Sequence, residues 1–242
     1  MMFDSYCFTS KGGRSYNEDA VGTLDLPDGM LYILADGLGG HAHGEIASRT
    51  VVQTLTEQPY EAGCDAPEWL QNSLIEANCQ VIAQQEANSC TMKSTAVVLL
   101  LQDDRAFWAH VGDSRLYFLH DGQLRAVTDD HSVAYKKYKA GEISRAQIGQ
   151  DEDQSSLLRA LGNPERNQPD LGCEPASLSV GDAFLLCSDG LWTYLKDEEI
   201  CIDLLKSRTA KEWAELMLMR LMERIRSDSD NASLITVLVN ED

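Results

Sequence analysis

Apolar positions along this chain fall into two kinds of run. Short runs, rich in β-branched and aromatic residues and bounded by Gly, Asp or Asn, predict strands at 20–25, 30–35, 94–101, 105–111, 115–120, 183–188 and 233–239. DDR at 103–105 joins two of them as a hairpin, and HDG at 120–122 starts another turn. Strands joined so tightly favour antiparallel pairing. Three longer segments repeat apolar residues at helical spacing. Residues 44–57 bring Ile46, Ala47, Val51 and Leu55 onto one face. Residues 66–88 open on Asp65-Ala66-Pro67-Glu68, which supplies an N-cap, an early proline and an acidic first turn. Residues 210–226 open on the capping box Thr209-Ala210-Lys211-Glu212, then align Trp213, Leu216, Met217, Leu221 and Ile225. Such a face packs on the sheet of its own domain more often than on a cofactor or partner. Strand groups with segregated helices predict an α+β layered fold, and with no linker-like stretch or internal repeat we expect a single domain over residues 1–242.

The chemistry gathers where the strands end. Asp36 closes MLYILADG, Asp113 closes FWAHVGDS, Asp189 closes AFLLCSDG, and Asp230 precedes the last apolar run in SDSDNASLITVLV. Taken singly, each is an ordinary Asp turn. Taken together, they are four carboxylates that a scaffold can aim at one point. Two such charges roughly 4 Å apart repel by about 4 kcal/mol at an effective dielectric near 20. Convergence would therefore call for cations, and all-oxygen ligands favour Mg or Mn over Zn.

Bulk properties narrow the field. With 39 acidic against 20 basic residues the net charge is −19, which disfavours nucleic acid and anionic membranes as partners. The seven cysteines are odd in number and form no C-x-x-C, so neither a disulfide framework nor a zinc site is expected, and Cys187 reads as a buried small residue. These features suit a reducing cytoplasm. MMFDSYCFTSKGG lacks the pattern of a signal peptide, and the longest apolar run, AVVLLL at 96–101, is far short of a membrane span.

Two further segments carry donors. Arg14-Ser15-Tyr16-Asn17-Glu18-Asp19 offers a guanidinium suited to a phosphate, and in Glu18 a metal contact, direct or through water; its alternative is a surface charge cluster. Ala35-Asp36-Gly37-Leu38-Gly39-Gly40-His41-Ala42-His43-Gly44-Glu45 runs from a strand through a glycine-rich turn into a helix, and Gly37 can present its carbonyl to a ligand. It is neither a P-loop nor a G-x-G-x-x-G turn.

Taken in order, RSYNEDA (14–20), ADGLGGHAHGEIAS (35–48), STAVV (94–98), VGDSRLY (111–117), TDDHS (128–132), KAGEIS (139–144), LLRALG (157–162), LLCSDGLW (185–192) and DNASLITVLV (230–239) resemble the metal-dependent protein serine/threonine phosphatases of the PPM (protein phosphatase 2C-like) family, in their compact bacterial form. The blocks span nearly the whole chain. The resemblance implies two packed antiparallel β-sheets flanked by helices, an α-β-β-α sandwich, with a two-metal site of Mn²⁺ or Mg²⁺ at one end. Carried over by position, Asp36 would bridge both ions, the Gly37 carbonyl would complete one site, and Asp189 and Asp230 would hold the other. Glu18 would contact the water shell, and Asp113 with Asp189 matches a third, weaker site. Arg14 would bind the substrate phosphate. Residues 133–154, with Lys136, Lys137, Lys139 and Arg145, would form a flap.

The implied reaction is hydrolysis of phosphoserine or phosphothreonine on proteins by a metal-activated water. The partners are then phosphorylated proteins and an opposing Ser/Thr kinase, and the chain is expected to be a cytoplasmic monomer. Ser188 reads as a turn residue and not a nucleophile. Leu38 stands where many eukaryotic members carry a histidine proposed as general acid, which leaves proton delivery unassigned. His41 and His43 are nearby alternatives, though each reads first as turn-fixing. His131 reads as structural, and His110 and His120 as ordinary strand residues. Competing readings are the same fold used as a regulatory module, against which the retained Asp set argues, and a small-molecule phosphatase.

Overall fold

The computed structural model describes residues 1–39, 43–165, 168–172 and 176–241. Its elements run β1 (Met2–Ser10), β2 (Asp19–Leu26), β3 (Gly29–Leu38), α1 (His43–Glu57), α2 (Ala66–Asn88), β4 (Lys93–Ser94), β5 (Ala96–Gln102), β6 (Arg105–Val111), β7 (Arg115–His120) and β8 (Gln123–Val127). Then follow α3 (Val133–Lys139), a 3-10 turn (Arg145–Gln150), β9 (Asp170–Leu171), β10 (Ala176–Ser177), β11 (Asp182–Cys187), α4 (Asp189–Trp192), α5 (Asp197–Lys206), α6 (Ala210–Arg224) and β12 (Ala232–Asn240). One sheet has the order β1-β12-β11-β7-β8 and the other β10-β6-β5-β3-β2, with β4 beside β3 and β9 on β6. The pairings are antiparallel.

Alternation along two buried strands builds the layers. In β5, Ala96, Val98 and Leu100 pack toward α1 and α2, while Val97, Leu99 and Leu101 meet the opposite sheet. In β12, Leu234 and Leu238 face α5 and α6, while Ile235, Val237 and Val239 face inward. A strand covered on both faces reads as an unbroken apolar run, which is how both look in the sequence. The result is the α-β-β-α sandwich, with one core between the sheets and one under each helical layer.

The hairpins form where expected. The β7–β8 turn holds Asp121 at φ 48 and Gly122 at φ 71, the backbone region that Asp and Gly tolerate best. Asp65 caps α2 by accepting from the Glu68 amide at 2.9 Å. Thr209 caps α6 through the Glu212 amide, but the Glu212 carboxylate takes the Arg208 amide at 2.8 Å and not that of Thr209, so the box is shifted by one residue. The predicted strand 94–101 is broken at Thr95, which turns its amide and hydroxyl onto the main chain of Asp36. Strand β1 escapes the pattern reading because it is an edge strand. It pairs only with β12, and its polar Asp4, Ser5 and Thr9 interrupt the apolar signal. The helices α3 and α5 lie in charged stretches that mask their short apolar faces.

Candidate active site

Both sheets deliver carboxylates to the same end of the sandwich. Asp36 lies near the end of β3, in register with Asp19 at the start of β2. From the other sheet, Asp189 opens α4 directly after β11, and Asp230 precedes β12. Asp113 sits in the turn that carries the chain from β6 in one sheet to β7 in the other. Arg14, Glu18, Asp36, Gly37, Asp113, Asp189 and Asp230 all line one cavity of about 230 Å³, with Leu38 and Asn231 among its other walls.

Main-chain ties hold these groups in place. The Thr95 hydroxyl donates or accepts at 2.7 Å with Ser114, so it couples the Asp36 strand to the Asp113 turn. The Trp192 indole donates to the Asp113 carbonyl at 2.9 Å. Beneath it Arg115 stacks on Trp192 and forms a buried two-point pair with Asp130, at 2.8 and 2.7 Å. Asn231 anchors the N-terminal segment: its carbonyl oxygen accepts from the Glu18 amide, and its amide group donates to Lys11 and Tyr16. Gly190 is required here, because a side chain would run into the Asn231 carbonyl at 1.9 Å.

The electrostatics are unfavourable to the bare protein. Burial pushes the Asp36 carboxyl well above the usual range, and neighbouring Asp19, Asp189, Asp113 and Asp230 add to it. Asp113 is raised by burial and then by Asp189 and Asp130, and Asp189 by burial and by Asp230. Glu18 is raised by burial. Asp19 is pushed up to about 7, first by burial and then by Asp189 and Asp230. Among the described residues, Arg14 is the cation at the cavity wall. Its Nη2 lies 2.8 Å from Asp230 in a half-exposed pair, which leaves its other guanidinium donors for an incoming anion. Crowded carboxylates with one guanidinium and a backbone carbonyl are a hard-oxygen donor set, and a divalent Mg or Mn ion fits it.

Three groups carry contacts that the sequence reading did not assign. Asp19 is buried, accepts from the Ser188 hydroxyl at 2.9 Å, and leaves Oδ1 without a partner among the described residues. Its place directly after Glu18 in a strand was the available signal. Gln154, at the end of the flap, donates to Asp189 Oδ2 at 3.0 Å. Within the flap, Lys137 pairs with Asp151 and Asp153 and Lys139 with Asp129, so both lysines are occupied, while Arg145 meets Asp197 through Nε alone.

The histidines are better connected than expected. His110 and His131 stack at 4.7 Å and gather with Asp170, which also takes Arg159 at 2.6 Å. The Gly112 amide donates to His131 Nδ1, so the ring proton sits on Nε2 and faces Asp170. With that nitrogen protonated and Arg159 on the carboxylate, the cluster acts as a brace under the Gly112–Asp113 turn. Burial and His110 push His131 down to about 4. His120 pairs with Asp182 at 2.7 Å. His41 lies outside the described residues, as does Cys173; the six described cysteines are free.

A two-sheet sandwich with a carboxylate cluster and a guanidinium at one end defines a metal-dependent hydrolase for an anionic substrate. The family model for Protein phosphatase 2C matches residues 12–238. The serine/threonine phosphatase stp of Listeria monocytogenes serotype 4b (strain F2365) is 32% identical over 215 residues, covering 86% of this chain and 84% of that one. The crystal structure of the serine/threonine phosphatase Stp1 from Staphylococcus aureus superposes with a TM-score of 0.88 at 30% identity, over 100% of this chain and 96% of the other. The catalytic domain of PstP, in complex with two manganese ions, gives 0.84 at 29% identity over 99% of both chains. This chain belongs to the protein phosphatase 2C family and is a metal-dependent serine/threonine protein phosphatase.

Proposed function

We propose that the chain removes phosphate from phosphoserine and phosphothreonine on proteins, opposing a Ser/Thr kinase in the cytoplasm. Asp36, the Gly37 carbonyl, Asp189 and Asp230 would hold two Mn²⁺ or Mg²⁺ ions, with Glu18 on their water shell and Asp113 with Asp189 at a weaker third site. The observation that carries this reading is the convergence of these groups with Arg14 on one cavity. When bound, the ions lower the pKa of attacking water and neutralise charge on the phosphoryl oxygens.

The chain's own groups do the rest. Arg14 presents its free guanidinium donors to the phosphate, while the Asp230 contact fixes its orientation. Leu38 gives the cavity an apolar wall where many eukaryotic members carry a histidine, and proton delivery to the leaving oxygen is left unassigned. Gln154 steadies Asp189 from the flap. Among the described residues no helix is long and apolar enough to cross a membrane. The free cysteines suit a reducing compartment.

The deciding experiment is phosphate release from a phosphothreonine peptide by metal-stripped protein, with and without Mn²⁺. Mn-dependent release supports the reading, and a folded protein that binds Mn²⁺ but releases nothing overturns it. Arg14→Ala is expected to raise KM for the peptide about tenfold, with a smaller change in kcat. An unchanged KM would remove Arg14 from phosphate binding.

A further inference from the structure

Beside the reaction cavity lies a groove of about 410 Å³, bounded by Arg14, Asp189, Asp230, Gln150, Thr193 and Tyr194. It opens into a larger pocket of about 600 Å³ through shared walls at Gly149, Gln150, Thr193 and Tyr194. Four cations line that pocket, Arg115, Arg145, Lys196 and Arg224, together with the two carboxylates Asp197 and Glu198. A basic pocket is unexpected on a chain of net charge −19.

Two of the four are neutralised by the fold. Arg115 is held at two points by Asp130, and Arg224 by Glu199. The other two keep capacity. Arg145 meets Asp197 through Nε alone, at 2.8 Å, and its Nη2 is enclosed without a hydrogen-bond partner among the described residues. A buried guanidinium donor left unpaired is costly and marks a site where something else completes the bonding. Lys196 is exposed at the rim and makes no ion pair among the described residues.

We infer that this pocket receives an anionic side chain of the substrate, a glutamate, aspartate or second phosphorylated residue near the one being hydrolysed. The inference rests on the phosphatase reading above. Spacing follows from the shared wall. Asp189 and Tyr194 are five positions apart along α4 and its continuation, roughly 7 Å at a helical rise of about 1.5 Å per residue. An extended peptide advances about 3.3 Å per residue, so the near wall of the pocket lies about two to three residues from the reacting phosphate. The planar Arg145 fork suits carboxylate and phosphate alike, and Lys196 adds a point charge. On a chain of net charge −19, a pocket where cations outnumber carboxylates would favour acidic segments at this place.

The test uses the intact chain with Mn²⁺ and peptides bearing one phosphothreonine. One peptide has neutral flanks, a second carries glutamate three residues before or after, and a third carries phosphoserine at those places. The expected result is a roughly five- to tenfold higher kcat/KM for the anionic peptides, carried by KM. In Arg145→Gln combined with Lys196→Ala the preference falls to near unity. Preference shared by glutamate and phosphoserine supports an acidic motif, and preference for phosphoserine alone supports a doubly phosphorylated one. A parent enzyme that hydrolyses all peptides alike, or a variant that keeps the full preference, overturns the inference. Failure to hydrolyse even the neutral peptide would overturn the phosphatase reading, and the inference with it.

Discussion

Asp36→Asn is expected to lower Mn-dependent kcat by more than about a thousandfold while leaving the metal-free protein folded and no less stable. The two effects have separate causes. The side chain is the member of the cluster most crowded by other carboxylates, with Asp19, Asp189, Asp113 and Asp230 all acting on it. If Asp36 holds divalent ions as proposed, an amide would not supply the negative charge they need, and its nitrogen would turn a donor toward a cation. Structurally, Asp36 is held by its main chain: its amide donates to Thr95 Oγ at 3.0 Å, and its carbonyl accepts from the Thr95 amide at 2.8 Å. Those bonds survive the substitution. Removing a carboxyl whose charged form is opposed by burial and by its neighbours should therefore leave the metal-free protein at least as stable at pH 8. Phosphate release and urea midpoints in chelator, measured on the same preparation, check both halves. Near-parental turnover would refute the central role of Asp36, and a destabilised metal-free variant would refute the electrostatic account.

Metal-free protein is expected to become more stable as the pH is lowered from 8.5 to 6.5. Asp19 titrates at about 7 in the folded chain, against about 3.9 when unfolded. The folded state thus binds the proton more tightly, and its stability is lowest above pH 7 and recovers as the pH falls through that value. Asp19 alone contributes about 1 kcal/mol by pH 6.5, and Asp36 and Asp113, raised in the same direction, add to it. The window stops at 6.5 because His131 acts the other way below it: a histidine held near 4 in the folded chain loses stability as its unfolded counterpart takes a proton. With saturating Mn²⁺ the slope reverses, because protons then compete with the ions for the same oxygens. Denaturant melts at several pH values, with chelator and with Mn²⁺, read this directly. A flat or falling stability in chelator would mean that the carboxylates are not crowded.

Much of the site can be read from strand ends. Asp36, Asp113 and Asp189 lie at or just past the ends of strands, Asp230 lies just before one begins, and all four meet at the same rim. Arg14 and Glu18 carried no local signal strong enough to stand alone; ordered resemblance to a family brought them in. Asp19 is hard to single out in the sequence because a carboxylate beside Glu18 looks like surface charge until the register with Asp36 buries it. Gln154 touches Asp189 across 35 positions, a contact made only once the flap folds back. The Thr95–Ser114 and Arg115–Asp130 ties are likewise tertiary, and no periodicity announces them. In the fold, strands buried on both faces were the clearest, and the edge strand β1 was lost because one of its sides faces water.

The rim residues come from both sheets, with Asp36 on one, Asp189 and Asp230 on the other, and Asp113 at the crossing between them. Their spacing is therefore a gauge of how the two layers are aligned. A small shear of one layer over the other opens or narrows the gap between carboxylates without altering either half. Leu99 and Phe184, buried in the core between the sheets, are among the side chains through which the two layers meet. Packing in the middle of the sandwich thus bears on the gap between the carboxylates at its rim, and a change of side-chain volume there would be felt at the jaws.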